Sequence, residues 1–267
     1  MDSDPPRVIT PPVAQSATAL DALLRQTRQL RLEGKFEESY TAACSFAGAT
    51  PRIGSLAWEH HKLFWSDITA RNCILSRRGP ADLAFLRKAW QDEGFMRQFH
   101  RQAPKLPIAD QRLTEILKRE FVALLRESHA LHWIVRDREG RPHGLLSLVD
   151  LSLQHRKAEV LLGVLPGAPF GLATSAMLML FQFYFRVLRF HKLYSLVYPD
   201  NPRSLAGTLH LGFRIEGELK EEVFDPHTGR PSDLIRTGLL ASDALSPKND
   251  RLMKRLLGVP GVSVSKA

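Results

Sequence analysis

Between Val160 and Phe185 the chain carries no formally charged residue, and the middle of that run is the turn-forming stretch Pro166-Gly167-Ala168-Pro169-Phe170-Gly171. A stretch of this length without charge is either a bilayer span or part of a closed core. The prolines and glycines exclude a continuous spanning helix. The apolar part after them, Leu172 to Phe185, is too short to cross a bilayer and runs into Arg186 and Arg189. No membrane span is expected. The run reads instead as a buried strand, a turn and a buried helix.

The flanking segments give that unit a sheet to join. NCILSR, from Asn72, reads as a short strand, and Leu83, Leu86 and Trp90 mark a helix. Phe95, Phe99 and the segment through Leu113, Leu117, Phe121 and Leu124 continue helically. Leu131–Val135 and Gly144–Leu151 form a hairpin around Asp137 and Gly140, and Ala158–Val164 adds a third strand. After the uncharged helix, ending near Phe190, come a strand at Lys192–Val197 and a short helix at Pro202–His210. Two last strands, Phe213–Phe224 and Asp233–Leu240, are joined through Pro226, Gly229 and Pro231. The fold class is α+β: a mixed, mainly antiparallel sheet flanked by helices, with one strand–helix–strand crossover.

Ahead of this lies a small helical extension. Residues 1–15, rich in proline and small polar side chains, read as a disordered leader without the basic and apolar regions of a secretory signal. Leu20, Leu23, Leu24 and Leu30 share a helical face, Gly34 stops that helix, and Phe36, Tyr40 and Ala43 start a second stripe. The pair resembles a single tetratricopeptide unit with no second copy after it, and a third helix is expected around Leu56–Ile68. The domain reading is therefore a helical extension over 16–69, a main domain over 70–242, and a C-terminal tail with a short helix over 243–267.

A net charge of +9 favours polyanionic company such as nucleic acid, anionic lipid or a phosphorylated cofactor, and equally fits a solvated basic surface. No aromatic–basic platform or recognition helix accompanies it, so nucleic acid is not the expected partner. Two cysteines outside any CxxC point to a reduced, cytoplasmic setting. The histidines, His60-His61 and His129/His132 included, form no ligand set with metal spacing, and no GxSxG elbow is present. No metal is expected.

A glycine-rich turn that opens a helix exposes backbone N–H groups at the positive end of the helix dipole, which suits phosphate. Here the spacing fails the dinucleotide GxGxxG, and no GK[ST] follows as in a nucleotide P-loop. Packing alone is the other reading of the same glycines. The residues downstream separate the two. Strand AEVLLGV, turn PFGLA, apolar helix, strand KLYSLVYPDN, NPRS and LGFRIEGEL follow one another in an order that resembles the GNAT superfamily of N-acetyltransferases. The resemblance covers roughly Asn72 to Leu240 and is nearest the branch acting on protein N-termini and amino sugars. Asn201, Ser204, Gly212-Phe213, Glu216-Gly217 and Asp233 fall where that family places such residues.

The resemblance implies acetyl-coenzyme A as co-substrate and a primary amine as acceptor: an amino sugar or nucleotide sugar, another small amine, or a peptide N-terminus. The turn amides of Phe170, Gly171, Leu172, Ala173 and Thr174 would hold the cofactor's diphosphate. Leu161, Leu162 and Gly163 on the preceding strand would meet its pantetheine arm, as would Asn201 and Ser204 beyond the next one. Ala168 stands where the family has Arg or Gln, Pro169 removes one donor, and Thr208 stands where many members carry a general-acid tyrosine. Glu159, the one acid in AEVLLGV, is the candidate base; pairing with Arg156 or Lys157 is the structural alternative. Arg97, Arg101 and Tyr198 are candidate acceptor contacts, and with Arg77, Arg78 and Arg87 they hint at an anionic acceptor, or at a solvated basic face. The competing reading is a non-catalytic, degenerate GNAT fold whose N-terminal helices recruit a protein partner.

Overall fold

The computed structural model describes residues 13–49, 62–101 and 109–258. The chain divides into two compact units, Met1–Phe64 and Trp65–Ala267. In the first, α1 (Val13–Leu32) and α2 (Phe36–Ala49) form a helical hairpin. Gly34, at φ +75°, takes the left-handed conformation that lets the Lys35 amide reach back to the Leu30 carbonyl and close α1. Leu23 and Ala43 are buried, and the Ser39 hydroxyl reaches the Thr27 carbonyl across the pair at 3.4 Å. Of the expected leader, residues 1–12 lie outside the described residues and Val13–Gln15 already belong to α1; residues 56–61 of the expected third helix also lie outside them. Only Lys62–Trp65 of the latter is helical here, and Ile68 belongs to a strand.

The second unit is built on one eight-stranded sheet: β1 (Ile68–Thr69), β2 (Ile74–Arg77), β3 (Leu131–Arg136), β4 (Pro142–Ser152), β5 (Lys157–Val164), β6 (Lys192–Val197), β7 (Arg214–Asp225) and β8 (Arg230–Leu240). Their spatial order is β1-β2-β3-β4-β5-β6-β8-β7, and only the β5/β6 pair is parallel. That pair is joined through the uncharged helix that follows β5, so it is the one place that needs a crossover. The longer helices of this unit are α3 (Leu83–Gln91), α4 (Glu93–Phe99), α5 (Asp110–Val122), α6 (Leu172–Phe181), α7 (Pro202–His210) and α8 (Pro247–Leu257). The unit starts at Trp65 because that ring packs on Phe121, with centroids 6.3 Å apart, and Ile68 pairs with Leu75.

The two faces of the sheet carry different layers. One face packs on α3, α4 and α5 through Leu86, Ala89, Phe95, Leu113 and Leu117, which meet Ile134 and Leu145. The other receives the uncharged helix, where Phe183 meets Trp133 edge-on at 5.6 Å. From Ser175 to Phe185 every residue is buried, which explains the absence of charge. The helix does not run straight to Phe190. Past Phe181 it widens into a π-helical turn over Gln182–Val187, with the Leu188 amide on the Phe183 carbonyl, and Arg189 leaves it at φ +57°.

Two boundaries move relative to the sequence reading. β8 begins at Arg230, with Pro231 opposite Phe224 at the hairpin end. The short helical turn Ala241–Ala244 crosses into the segment from 243, and α8 follows from Pro247; its Asn249 is buried and donates to the carbonyls of Leu211 and Ala244 at 3.0 Å. Among the described residues no helix is long and apolar enough to cross a membrane.

Candidate active site

The parallel ladder between β5 and β6 has only three rungs: Lys157↔Lys192, Ala158↔Leu193 and Glu159↔Tyr194. Beyond Glu159, β5 stays paired with β4 through Val160 to Val164, while β6 keeps only its partner β8. The strands therefore part and leave one side of Leu161, Leu162 and Gly163 without a ladder partner. A cleft of about 200 Å³ opens there, lined by Phe99, His100, Arg101, Glu159, Leu161, Leu196, Tyr198, Asn201 and Ser204 among others. Gly163 keeps α4 close: a Cβ there would lie 2.8 Å from the Phe95 ring and 2.9 Å from the Phe99 ring.

At the far end of β5 the chain enters the turn. Gly171 sits at φ +80°, a conformation that L side chains rarely adopt. The Ala168 amide bonds to the Leu165 carbonyl, and the Leu172 amide to the Pro169 carbonyl at 3.1 Å. Leu172 is thereby removed from the expected set of anion donors. The Ser175 amide closes on the Gly171 carbonyl, and the amides of Phe170, Gly171, Ala173 and Thr174 have no backbone partner among the described residues. They open at the N-terminus of α6, where the helix dipole favours negative charge. The Phe170 side chain itself stands fully in solvent.

Glu159 occupies the vertex where the strands part. Burial, then the Asp150 carboxylate, push its carboxyl from an ordinary 4.5 up to about 7, against the opposing pull of the Leu196 amide and of Arg236. Neither Arg156 nor Lys157 contributes to that balance. Around it stand three residues that the sequence reading passed over. The Tyr194 hydroxyl donates to the Asp150 carboxylate, and the Arg236 guanidinium lies over the Tyr194 ring at 4.4 Å. The one sequence signal for Asp150 was an acid inside the apolar strand LLSLVDLS.

The mouth of the cleft is organised differently. The Arg101 side chain is 3% exposed and bridges Asp225 at 2.9 Å and Asp200 at 2.7 Å. It lies over the Tyr198 ring at 3.8 Å and donates from Nε to the Arg97 carbonyl. Arg97 reaches the same Asp200 at 3.4 Å. Asn201 caps α7: its Oδ1 accepts from the Ser204 amide at 3.1 Å, and both residues line the cleft. The remaining arginines expected on an acceptor face are also engaged. Arg77 lies over Trp65 and Trp133, Arg78 pairs with Glu120, and Arg87 with Asp110. The expectation of an anionic acceptor loses its support, because each of these arginines already has a carboxylate or aromatic partner within the chain.

The structure thus gathers Glu159, Leu161, Arg101, Tyr198, Asn201 and Ser204 around one cleft. Arg97 sits at its rim through Asp200, and the turn amides lie past the open end of β5. His132 is held elsewhere, on Ser147 at 2.8 Å, in a second cavity with Arg77, Arg78 and Glu120. Burial and the charges of Arg78, Arg77 and His100 push it well below the usual imidazole range. Among the described residues no cluster of histidine, cysteine or acid could hold a metal ion.

Comparison with known proteins agrees with this geometry. A family model described as "Acetyltransferase (GNAT) domain" matches residues 73–214. Spermidine N(1)-acetyltransferase of Escherichia coli (strain K12) is 37% identical over 87 residues, which are 32% of this chain and 47% of that protein. The Vibrio cholerae enzyme of the same name is 30% identical over 115 residues, 43% of this chain and 65% of that protein. The chain therefore matches about half to two thirds of the length of these curated relatives. In three dimensions it is similar to the crystal structure of spermidine N-acetyltransferase from Vibrio cholerae in complex with CoA and spermine. There the TM-score is 0.57 at 24% identity, covering 65% of this chain and 98% of the other, a likeness of fold.

Proposed function

The chain belongs to the GNAT acetyltransferase family, and from that premise we propose that it is an acetyl-coenzyme A-dependent N-acetyltransferase acting on a primary alkyl amine. The observation that carries the proposal is the parting of β5 and β6 just past Glu159, with unpartnered turn amides beyond it. A thioester carrier needs both features: donors for a diphosphate, and a strand edge along which an extended arm can lie.

Acetyl-coenzyme A would supply the acetyl group as a thioester. The amides of Phe170, Gly171, Ala173 and Thr174 would hold its diphosphate, which fits the donor set despite Ala168 and Pro169. Leu161, Leu162 and Gly163 would orient the pantetheine arm with their unladdered backbone, and Asn201 would add a side-chain donor. A backbone N–H aimed at the carbonyl oxygen as it gains negative charge contributes about 3 kcal/mol to such a barrier. Glu159 would take one proton from the acceptor's ammonium and so free the lone pair that attacks. A carboxyl near 7 does this well at neutral pH.

For the acceptor, the committed arginines and the carboxylate at the cleft vertex favour a cationic amine over a nucleotide sugar. The curated relatives act on spermidine, and a polyamine is the acceptor we propose. The test is thiol release from acetyl-coenzyme A with spermidine, glucosamine 6-phosphate and a short peptide offered separately. Turnover is expected with spermidine first. Turnover with the phosphosugar or peptide alone would reassign the acceptor, and no thiol release from any of them, together with no acetyl-coenzyme A binding by calorimetry, would favour the binding-protein reading.

A further inference from the structure

The register of β4 against β5 contains an extra residue. Val149 pairs with Glu159 and Ser152 with Lys157, so Asp150 and Leu151 together face Ala158 alone. In an unbroken strand Asp150 would point away from the face that carries Val149 and Glu159. It does not: Asp150 takes φ +46°, and its carboxylate meets the Tyr194 hydroxyl. Tyr194 is the register partner of Glu159 on β6, so its side chain crosses β5 to reach β4 on the cleft face. A left-handed non-glycine residue is strained, and bulges that re-aim a side chain concentrate beside functional sites.

We propose that the β4 bulge makes Asp150 and Tyr194 positioning residues for Glu159, holding a second carboxylate beside the base so that it stays basic enough to deprotonate the acceptor. The proposal rests on the enzymatic reading above and assigns the carboxylate pair within it. Charged and titratable groups surround the vertex, and among them Lys192 of β6 and Glu216 of β7 pair with each other at 2.6 Å. From β4 comes Asp150, from β5 Lys157, from β6 Tyr194 and from β8 Arg236. Just past α4 the cleft wall brings His100 and Arg101, and just past β6 it brings Tyr198. Lys157 and Arg236 lie over the Tyr194 ring at 5.9 and 4.4 Å. Arg236 is also held by Glu216 at 3.6 Å, and Arg101 by Asp200 and Asp225, so neither cation is left to neutralise Glu159 fully. The Tyr194 hydroxyl fixes where the Asp150 carboxylate sits, and a carboxylate neighbour opposes ionisation of Glu159. The direction of the Glu159 shift agrees, with Asp150 second only to burial among its causes.

The experiment compares the wild type with Asp150→Asn and Tyr194→Phe, the first chosen because asparagine tolerates the left-handed backbone. Two readouts are taken: the pH profile of kcat/KM, and a carbon-13 NMR titration of the Glu159 carboxyl assigned with Glu159→Gln. Asp150→Asn is expected to move both the acid limb and the titration down by about one unit. Tyr194→Phe is expected to move them the same way by less, with KM for acetyl-coenzyme A unchanged. An unshifted titration in both variants overturns the proposal, as does a uniform loss of rate at every pH with no shift. The titration needs no turnover. Absence of acetyl transfer in the wild type would therefore break the enzymatic reading while a shifted titration still establishes the carboxylate pair.

Discussion

Two charged groups line the same cleft, and the fold treats them oppositely. At the mouth, Arg101 meets two carboxylates with its side chain almost completely buried, and it is stacked on Tyr198 as well. At the vertex, Glu159 is pushed up by burial and by another carboxylate, against the weaker pull of the Leu196 amide and Arg236. One end satisfies its charge and the other frustrates it. The consequence is visible in proton affinity. Burial pushes Asp225 up, but the His227 amide and Arg101 pull it below its ordinary 3.8. Asp200 is lowered chiefly by its hydrogen bond from Arg101. Glu159 is raised. A satisfied charge builds structure, whereas one held against its preference is available for chemistry.

The widest separation of the two ends should come from Glu159→Gln, which keeps the shape and removes the base. A drop in kcat/KM of about 10²–10⁴-fold is expected, with acetyl-coenzyme A binding retained in calorimetry. In the wild type kcat/KM should rise with pH through about 7, where Glu159 ionises. Stability moves the other way. A carboxyl whose folded pKa lies above its unfolded value favours the fold fully below about 4.5, and that contribution is lost as pH rises through about 7. Thermal melts should show Glu159→Gln more stable than the wild type above that window and equal to it below. A variant with wild-type turnover would remove Glu159 as the base and leave the vertex a structural oddity.

At the mouth the same kind of substitution should act on stability first. Arg101→Met leaves Asp225 buried without its cation, and breaking a buried pair this way costs about 3–5 kcal/mol. Denaturant unfolding would read it directly. The pH dependence again carries the sign. Asp200 and Asp225 have folded pKa values below 3.8, so their contribution is present above 3.8 and lost as pH falls through the folded values. Arg101→Met should lose most of that acid sensitivity along with the stability. If unfolding is unchanged and only the acceptor KM rises, Arg101 contacts substrate and the contrast between the two ends fails.

How much of this could be read from sequence follows from the range of each interaction. The strand–turn–helix unit was legible because burial leaves a local mark: no charge between Val160 and Phe185, and prolines and glycines at the turn. Glu159 was legible as the lone acid in its strand. The π-helical turn at Gln182–Val187 was not, since nothing in LMLFQFYF marks where the hydrogen-bond step widens. The Asp150 bulge was hidden for a related reason: VDLS reads as ordinary alternation, and the inserted residue shows only in the register with β5. Arg101 was visible as a cation but not as a paired one, because Asp225 lies 124 residues away along the chain. Charge is a property of one residue, and its satisfaction is a property of the fold.

Arg97 sharpens the contrast at its small end. It shares Asp200 with Arg101, but its contact is 3.4 Å, and the two side chains are 52% and 47% exposed. In water such a pair gains little Coulomb energy, loses side-chain freedom and is screened by salt. Arg97→Ala should therefore change unfolding free energy by no more than about 0.5 kcal/mol. Asp200 keeps the closer Arg101 contact in the variant, so no carboxylate is stranded. The double variant with Arg101→Met measures what the two arginines share, and its cost should match Arg101→Met alone within about 0.5 kcal/mol. Should Arg97→Ala instead cost as much as Arg101→Met, the mouth is held at Asp200 on the surface. The buried Asp225 pair would then not be its anchor.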